Sequence, residues 1–268
     1  MSDLELGPER RDAASPEHRG MILRYTAGER TNHWMVAMAF VLAALSGLAL
    51  FHPALFGLSG LFGGGPWTRI LHPFIGLAML LAFLPFALRV GSENRMQPRD
   101  WAWLRQYRDV VMNREDRLPE VGRYNAGQKL VFYAIVLCLT GLLLSGVAIW
   151  RAYFSIYFPA VVVRWGAVLH ALCALVLICT IIVHIYAAIW VKGSVEAMTR
   201  GRVTRGWAWK HHRAWFREIM TRAANSRPRP DRSFRPAINS SHPASRSCQS
   251  LLEARRAPAH ACRKPRRS

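Results

Sequence analysis

The chain has 268 residues, 51% of them hydrophobic, and carries a net charge of +20. A balance so basic would suit a nucleic-acid-binding protein, but the placing of the charge excludes that reading. Apolar residues gather in four nearly uncharged blocks, at 33–51, 70–90, 130–150 and 165–191, and every Lys and Arg except Arg89 lies outside them.

Each block is about 19 to 27 residues long, enough for a helix rising about 1.5 Å per residue to cross the hydrocarbon core of a bilayer. The expected fold is therefore all-α, an integral membrane four-helix bundle. Residues 1–31 form a polar N-terminal segment without the apolar stretch of a signal peptide, so the first span is expected to direct insertion. That span covers about 33–52 and ends at His52-Pro53, with a Gly-rich turn at 57–66. The second span covers about 69–90. The loop 91–127 follows, and its aromatic and basic part at 101–113 suits an interfacial helix. The third span covers about 128–150 and the fourth about 164–192. The fourth is longer than one bilayer needs, so it tilts or projects. Together, residues 32–192 make the membrane domain. Residues 193–221, with Trp207, Trp209, Trp215, His211 and His212, read as a basic amphipathic segment docked on lipid or a partner. Residues 222–268 are rich in Ser, Pro, Arg and Ala and read as a disordered basic tail. No internal repeat is evident.

Charge sets the expected orientation. Arg95, Arg99, Arg105, Arg108, Arg114, Arg117 and Arg123 fill the middle loop, and basic residues crowd both terminal segments. Loops 53–68 and 151–163 hold one basic residue between them, Arg151. Basic loops stay in the cytoplasm, so both termini and the middle loop are expected there. Asp109, Glu115, Asp116 and Glu120 in the middle loop read as a solvated face. The cysteines (138, 173, 179, 248 and 262) have neither zinc nor cluster spacing, and no Cys-x-x-Cys-His sequence attaches haem covalently.

Ligating residues inside a span are costly and point to function. Four histidines qualify: His33, His72, His170 and His184. His33 opens the first span and His184 lies late in the fourth, so both belong to the inner side. His72 opens the second span and His170 lies early in the fourth, so both belong to the outer side. His170 and His184 are 14 residues apart. At about 100° per residue they leave the same helix face, roughly 21 Å apart along the axis. One shared ion cannot span that distance, whereas two stacked macrocycles can. Imidazole is a good axial ligand for haem iron, so the expected site is two b-type haems, one on His33 and His184, the other on His72 and His170. His52 competes in the outer layer but sits about 100° away around the helix from His33, and is expected to be interfacial. Gly47, 14 residues after His33, is expected to let a macrocycle approach the first span; Gly141 and Gly146 could serve likewise on the third. Candidate cations for haem propionates are Arg69, Arg151 and Arg164 outside, and Arg24, Arg30 and Lys129 inside. Asn125 is either a helix N-cap or a hydrogen-bonding group for a ligand at the inner mouth of the third span.

Several stretches resemble the gamma subunit of respiratory formate dehydrogenases, a cytochrome b membrane subunit. They are Asn32-His33-Trp34, Arg69-Ile70-Leu71-His72-Pro73-Phe74, Tyr124-Asn125-Ala126-Gly127-Gln128-Lys129, Leu169-His170-Ala171, Val183-His184-Ile185-Tyr186 and Trp190-Val191-Lys192-Gly193-Ser194. Lys210-His211-His212 and Trp215-Phe216-Arg217-Glu218-Ile219 continue the likeness, which runs from about 23 to 219. The resemblance implies a multi-pass protein of the bacterial inner membrane with axial ligands at the four histidines, paired as above. It implies partners: a catalytic alpha subunit with molybdopterin that oxidises formate outside, and an iron–sulfur beta subunit that feeds the outer haem. It implies a quinone acceptor, menaquinone or ubiquinone, near the cytoplasmic face, contacted by Asn125, Gly127 and, less so, Gln128, with His184 close by. Two other readings remain open at this point. One is the cytochrome b subunit of a hydrogenase or thiosulfate reductase; the other is a transporter or proton channel built on intramembrane histidines.

Overall fold

The computed structural model describes residues 20–112, 114 and 117–225. Four long helices dominate: α1 (Ala27–Phe51), α2 (Gly65–Gly91), α5 (Ala126–Ile149) and α6 (Ala160–Trp190). Between α2 and α5 lie two short helices, α3 (Pro98–Arg105) and α4 (Tyr107–Val111), where one interfacial helix was expected. After α6 come α7 (Ser194–Arg200), α8 (Arg205–His211) and α9 (Arg213–Asn225). Strands β1 (Met21–Leu23) and β2 (Arg202–Thr204) pair antiparallel, Ile22 opposite Val203. The helix α9 carries through Asn225, past the boundary at 222 expected for a disordered tail. The rest of that tail, with Cys248 and Cys262, and residues 1–19 lie outside the described residues.

The long helices start earlier than hydropathy suggests because local caps, rather than apolar residues, begin them. Thr26 and Glu29 form a reciprocal capping box ahead of α1. Asn125 and Gln128 do the same for α5. Gly65-Pro66 opens α2 and Pro159 precedes α6, where a proline's missing N–H costs nothing.

The helices pack chiefly as two hairpins, α1 with α2 and α5 with α6, with lighter contact between the hairpins. The outward faces are apolar and exposed: Leu88 and Leu137 are each 74% exposed. Four such helices suit lipid rather than water, since a helix pairs most of its main-chain polar groups within the span. Inside, Met79 and Phe83 of α2, Cys138 and Leu139 of α5 and Leu177 of α6 form a buried cluster, joined by Phe40 and Ala43 of α1.

A second cluster lies at the end of the bundle where α1 begins and α6 stops. Ile22, Ala197, Val203, Ala208 and Trp215 form its core, with Tyr25, Trp207 and Phe216 against it. The segment expected to lie as an amphipathic element on lipid or a partner is thus folded into a small cap with the entry strand. Gly201 is required here: its φ is +80°, and a Cβ would stand 2.6 Å from the Tyr25 carbonyl oxygen. Its own carbonyl accepts from the N–H groups of Arg24 and Tyr25.

Candidate functional site

The bundle brings the four expected histidines together as two pairs at two depths. Near the cap, His33 of α1 faces His184 of α6, with ring centres 6.3 Å apart. Near the far end, His72 of α2 faces His170 of α6, with ring centres 6.2 Å apart. All four are half-buried. Leu177 lies midway between His170 and His184 on α6 and is 3% exposed, so the apolar cluster forms a septum between the two layers.

These separations fit an iron between each pair. Two metal–imidazole bonds of about 2 Å in line, with about 1.2 Å from each nitrogen to its ring centre, set the centres about 6.4 Å apart. Direct ring stacking or a hydrogen bond between imidazoles would draw the pairs closer. Among the described residues no three His, Cys, Asp or Glu side chains gather as a metal-ion site. Two donors per layer suit a macrocycle that supplies the other four.

The far-end pair has support that sequence reading missed. Ser46 Oγ lies 2.9 Å from His72 Nδ1, and Ser145 Oγ lies 3.0 Å from His170 Nδ1. A glycine follows each serine. A Cβ on Gly47 would stand 3.1 Å from His72 Cε1, and one on Gly146 3.3 Å from His170 Cε1. Gly47 therefore makes room for the His72 ring itself, at the depth expected for a macrocycle. Gly141 instead makes room for Cys173, whose sulfur would be 2.6 Å from a Cβ there. The signal was present in the sequence: Leu45-Ser46-Gly47 and Leu144-Ser145-Gly146 recur at the same level of α1 and α5. It is a local repeat too short to stand out from apolar surroundings.

His52 is exposed, caps the turn after α1 and accepts from the Ala54 N–H. With Arg69, Pro53 and Phe56 it lines a cavity at the far end. Arg151 and Arg164 are exposed. The three cations expected near the other layer all have partners elsewhere. Lys129 is buried in an ion pair with Asp100, 2.6 Å apart, and also donates to the Arg95 carbonyl. Arg24 is 3% exposed, donates to the Arg123 carbonyl and lies 4.6 Å over the Trp215 ring. Arg30 donates to the Thr199 carbonyl. Asp109 pairs with Arg114 and Glu120 with Arg217, while Glu115 and Asp116 lie outside the described residues.

Asn125, Gly127 and Gln128 lie together at the mouth of α5. The side-chain oxygens of Asn125 and Gln128 accept each other's main-chain N–H at 2.9 and 3.0 Å, which leaves both amide NH₂ groups as donors. The Trp103 indole of α3 lies 3.5 Å from where a Gly127 Cβ would be, so a flat ring already rests on that backbone. Among the described residues no hydrogen bond joins His184 to this group.

A family model described as prokaryotic cytochrome b561 matches residues 24–201. The chain is similar to the cytochrome b556(fdo) subunit of formate dehydrogenase from Escherichia coli (strain K12), 45% identical over 203 residues that cover 76% of this chain and 95% of the relative. The nitrate-inducible formate dehydrogenase cytochrome b556(Fdn) subunit of the same strain is 43% identical over 199 residues, 74% of this chain and 92% of the relative. A formate dehydrogenase cytochrome b556 subunit of Haemophilus influenzae is 38% identical over 197 residues, 74% of this chain and 83% of the relative.

Proposed function

This chain belongs to the prokaryotic cytochrome b561 family, and we propose that it is the dihaem cytochrome b membrane subunit of a formate dehydrogenase complex, anchoring that complex and passing its electrons to a quinone. The observation that carries this reading is one imidazole-to-imidazole spacing repeated at two depths, 6.3 Å and 6.2 Å. His72 and His170 hold the far-end haem, and His33 and His184 the haem near the cap. When bound, the haems supply one-electron carriers in series between an iron–sulfur partner and the quinone. Formate oxidation belongs to a separate molybdopterin subunit.

The chain's own side chains do the rest. The positive-inside bias of the middle loop and of the cap makes the cap end cytoplasmic and the loops 52–64 and 150–159 external. Met79, Phe83, Leu139 and Leu177 keep water out of the middle of the bundle, so charge crosses without a proton path there. At the mouth of α5, the free amide groups of Asn125 and Gln128 offer donors to a quinone carbonyl, and Gly127 with Trp103 offers a flat apolar surface. His184 joins this site through the haem it ligates.

His72→Ala and His33→Ala test the assignment. Each variant should lose one of two b-type signals in reduced-minus-oxidised spectra, with haem content halved and the other signal kept. Retention of both haems in either variant would contradict the pairing.

A further inference from the structure

His72 and His170 are gripped by the same two-residue device on neighbouring helices. Ser46 and Ser145 are buried, 0% and 3% exposed. Each hydroxyl has one proton, and each faces a main-chain carbonyl one turn earlier: Ser46 Oγ donates to Leu42 O at 2.8 Å, and Ser145 Oγ to Gly141 O at 2.5 Å. A carbonyl oxygen only accepts, so toward the imidazole each serine oxygen is left to accept as well. The bonds at 2.9 and 3.0 Å then require the ring proton on Nδ1 of both histidines. Nε2 keeps its lone pair, the form of imidazole that ligates metal. The glycines beside the serines hold the rings close, since a Cβ at either would press on Cε1. The other layer differs: His33 Nδ1 is buried with no hydrogen-bond partner among the described residues.

We infer that Ser46 and Ser145 are positioning residues that fix the tautomer of His72 and His170 and make the iron those histidines hold the harder of the two to reduce. The inference rests on the reading of the four histidines as axial haem ligands. An Nδ1–H that donates to oxygen leaves more electron density on Nε2, and a more basic ligand favours the ferric state. With both far-end ligands so supported, and His33 not, the potential rises from the far end toward the cap. That is the downhill direction for electrons entering outside and leaving at the quinone.

The test is equilibrium potentiometry with optical and electron-paramagnetic detection on the purified full chain carrying Ser46→Ala, Ser145→Ala or Ser46→Thr. Each alanine should shift the far-end reduction equilibrium about fivefold toward ferrous, the worth of one ordinary hydrogen bond, or about 40 mV for a one-electron couple. The cap-end haem should not move, and Ser46→Thr, which keeps the hydroxyl, should stay near wild type. Loss of the far-end haem in the alanine variants with retention in Ser46→Thr supports the same role. An unmoved far-end potential in haem-replete alanine variants overturns the inference, as does an equal shift in both haems. So does a threonine variant that behaves like alanine, in potential or in haem loss. Wild-type protein with fewer than two haems would instead remove the reading on which it rests.

Discussion

Gly47 shows how much one missing carbon can decide. The neighbour of its hydrogen is His72 Cε1, which a Cβ would approach to 3.1 Å, and a branched side chain adds two more carbons on that stiff Cβ. Gly47→Val should therefore displace His72 and reduce far-end haem occupancy by half or more, with the cap-end haem kept. Gly76→Val on α2, where a Cβ would meet nothing within 4 Å, should keep both, and haem counting after purification separates the two. At this scale the sequence was informative about the paired histidines and silent about their supports. A histidine inside an apolar span is conspicuous because burying it is costly. A serine there is not, because its hydroxyl satisfies itself on the carbonyl one turn back, as Thr140 and Thr180 also do. Which serine also meets an imidazole depends on the packing of a helix 25 or more residues away. Asn125 illustrates the opposite limit. Its N-cap role was legible as a local pattern, and the capping box it forms with Gln128 is compatible with a ligand role because it occupies only the oxygens.

The elements at the cap end are held by buried polar groups rather than by apolar area alone. Glu29 of α1, with its side chain 5% exposed, meets Arg123 at 3.4 Å and Arg89 of α2 at 3.6 Å. Asp100 and Lys129, 1% and 3% exposed, pin α3 to the start of α5 and so set Trp103 over Gly127. Removing one partner of a pair so buried typically costs about 3–5 kcal/mol, because the other charge is stranded. His212 ties α8 to the loop before α5: its Nδ1 bonds Gly122 O at 2.8 Å and its Nε2 lies 3.3 Å from Arg24. Arg24 can only donate, so the ring is neutral, and burial, with Arg24 and His211 adding to it, holds its pKa well below the ordinary 6.5. An imidazole with a depressed folded pKa contributes stability that is complete above 6.5 and declines as pH falls, because the unfolded cap takes up the proton first. The loss is at most about 1.4 kcal/mol per pH unit. Hydrogen exchange of residues 202–215, corrected for intrinsic rates, should therefore accelerate between pH 6.5 and 5.5. His212→Asn should flatten that dependence. The strand pair that completes this cap was not legible: two three-residue strands about 180 positions apart leave no local period to read.

At the scale of the whole molecule, hydropathy located the four spans and the histidines located the two layers. Sequence could not supply the hairpin pairing or the septum between the layers. Both depend on which faces of four almost uniformly apolar helices meet, and such helices have little amphipathic signal. The septum is apolar: Leu177 and its neighbours lie between the levels of His170 and His184, roughly 21 Å apart along α6. Paired imidazoles at two depths would hold two irons in one chain, and the haem-to-chain ratio of the purified chain, read together with its electron paramagnetic resonance spectrum, is the measurement closest to that arrangement. Two b-type haems per chain are expected, both low-spin with two imidazole ligands. One haem, none, or a high-spin five-coordinate signal from either layer would contradict that arrangement.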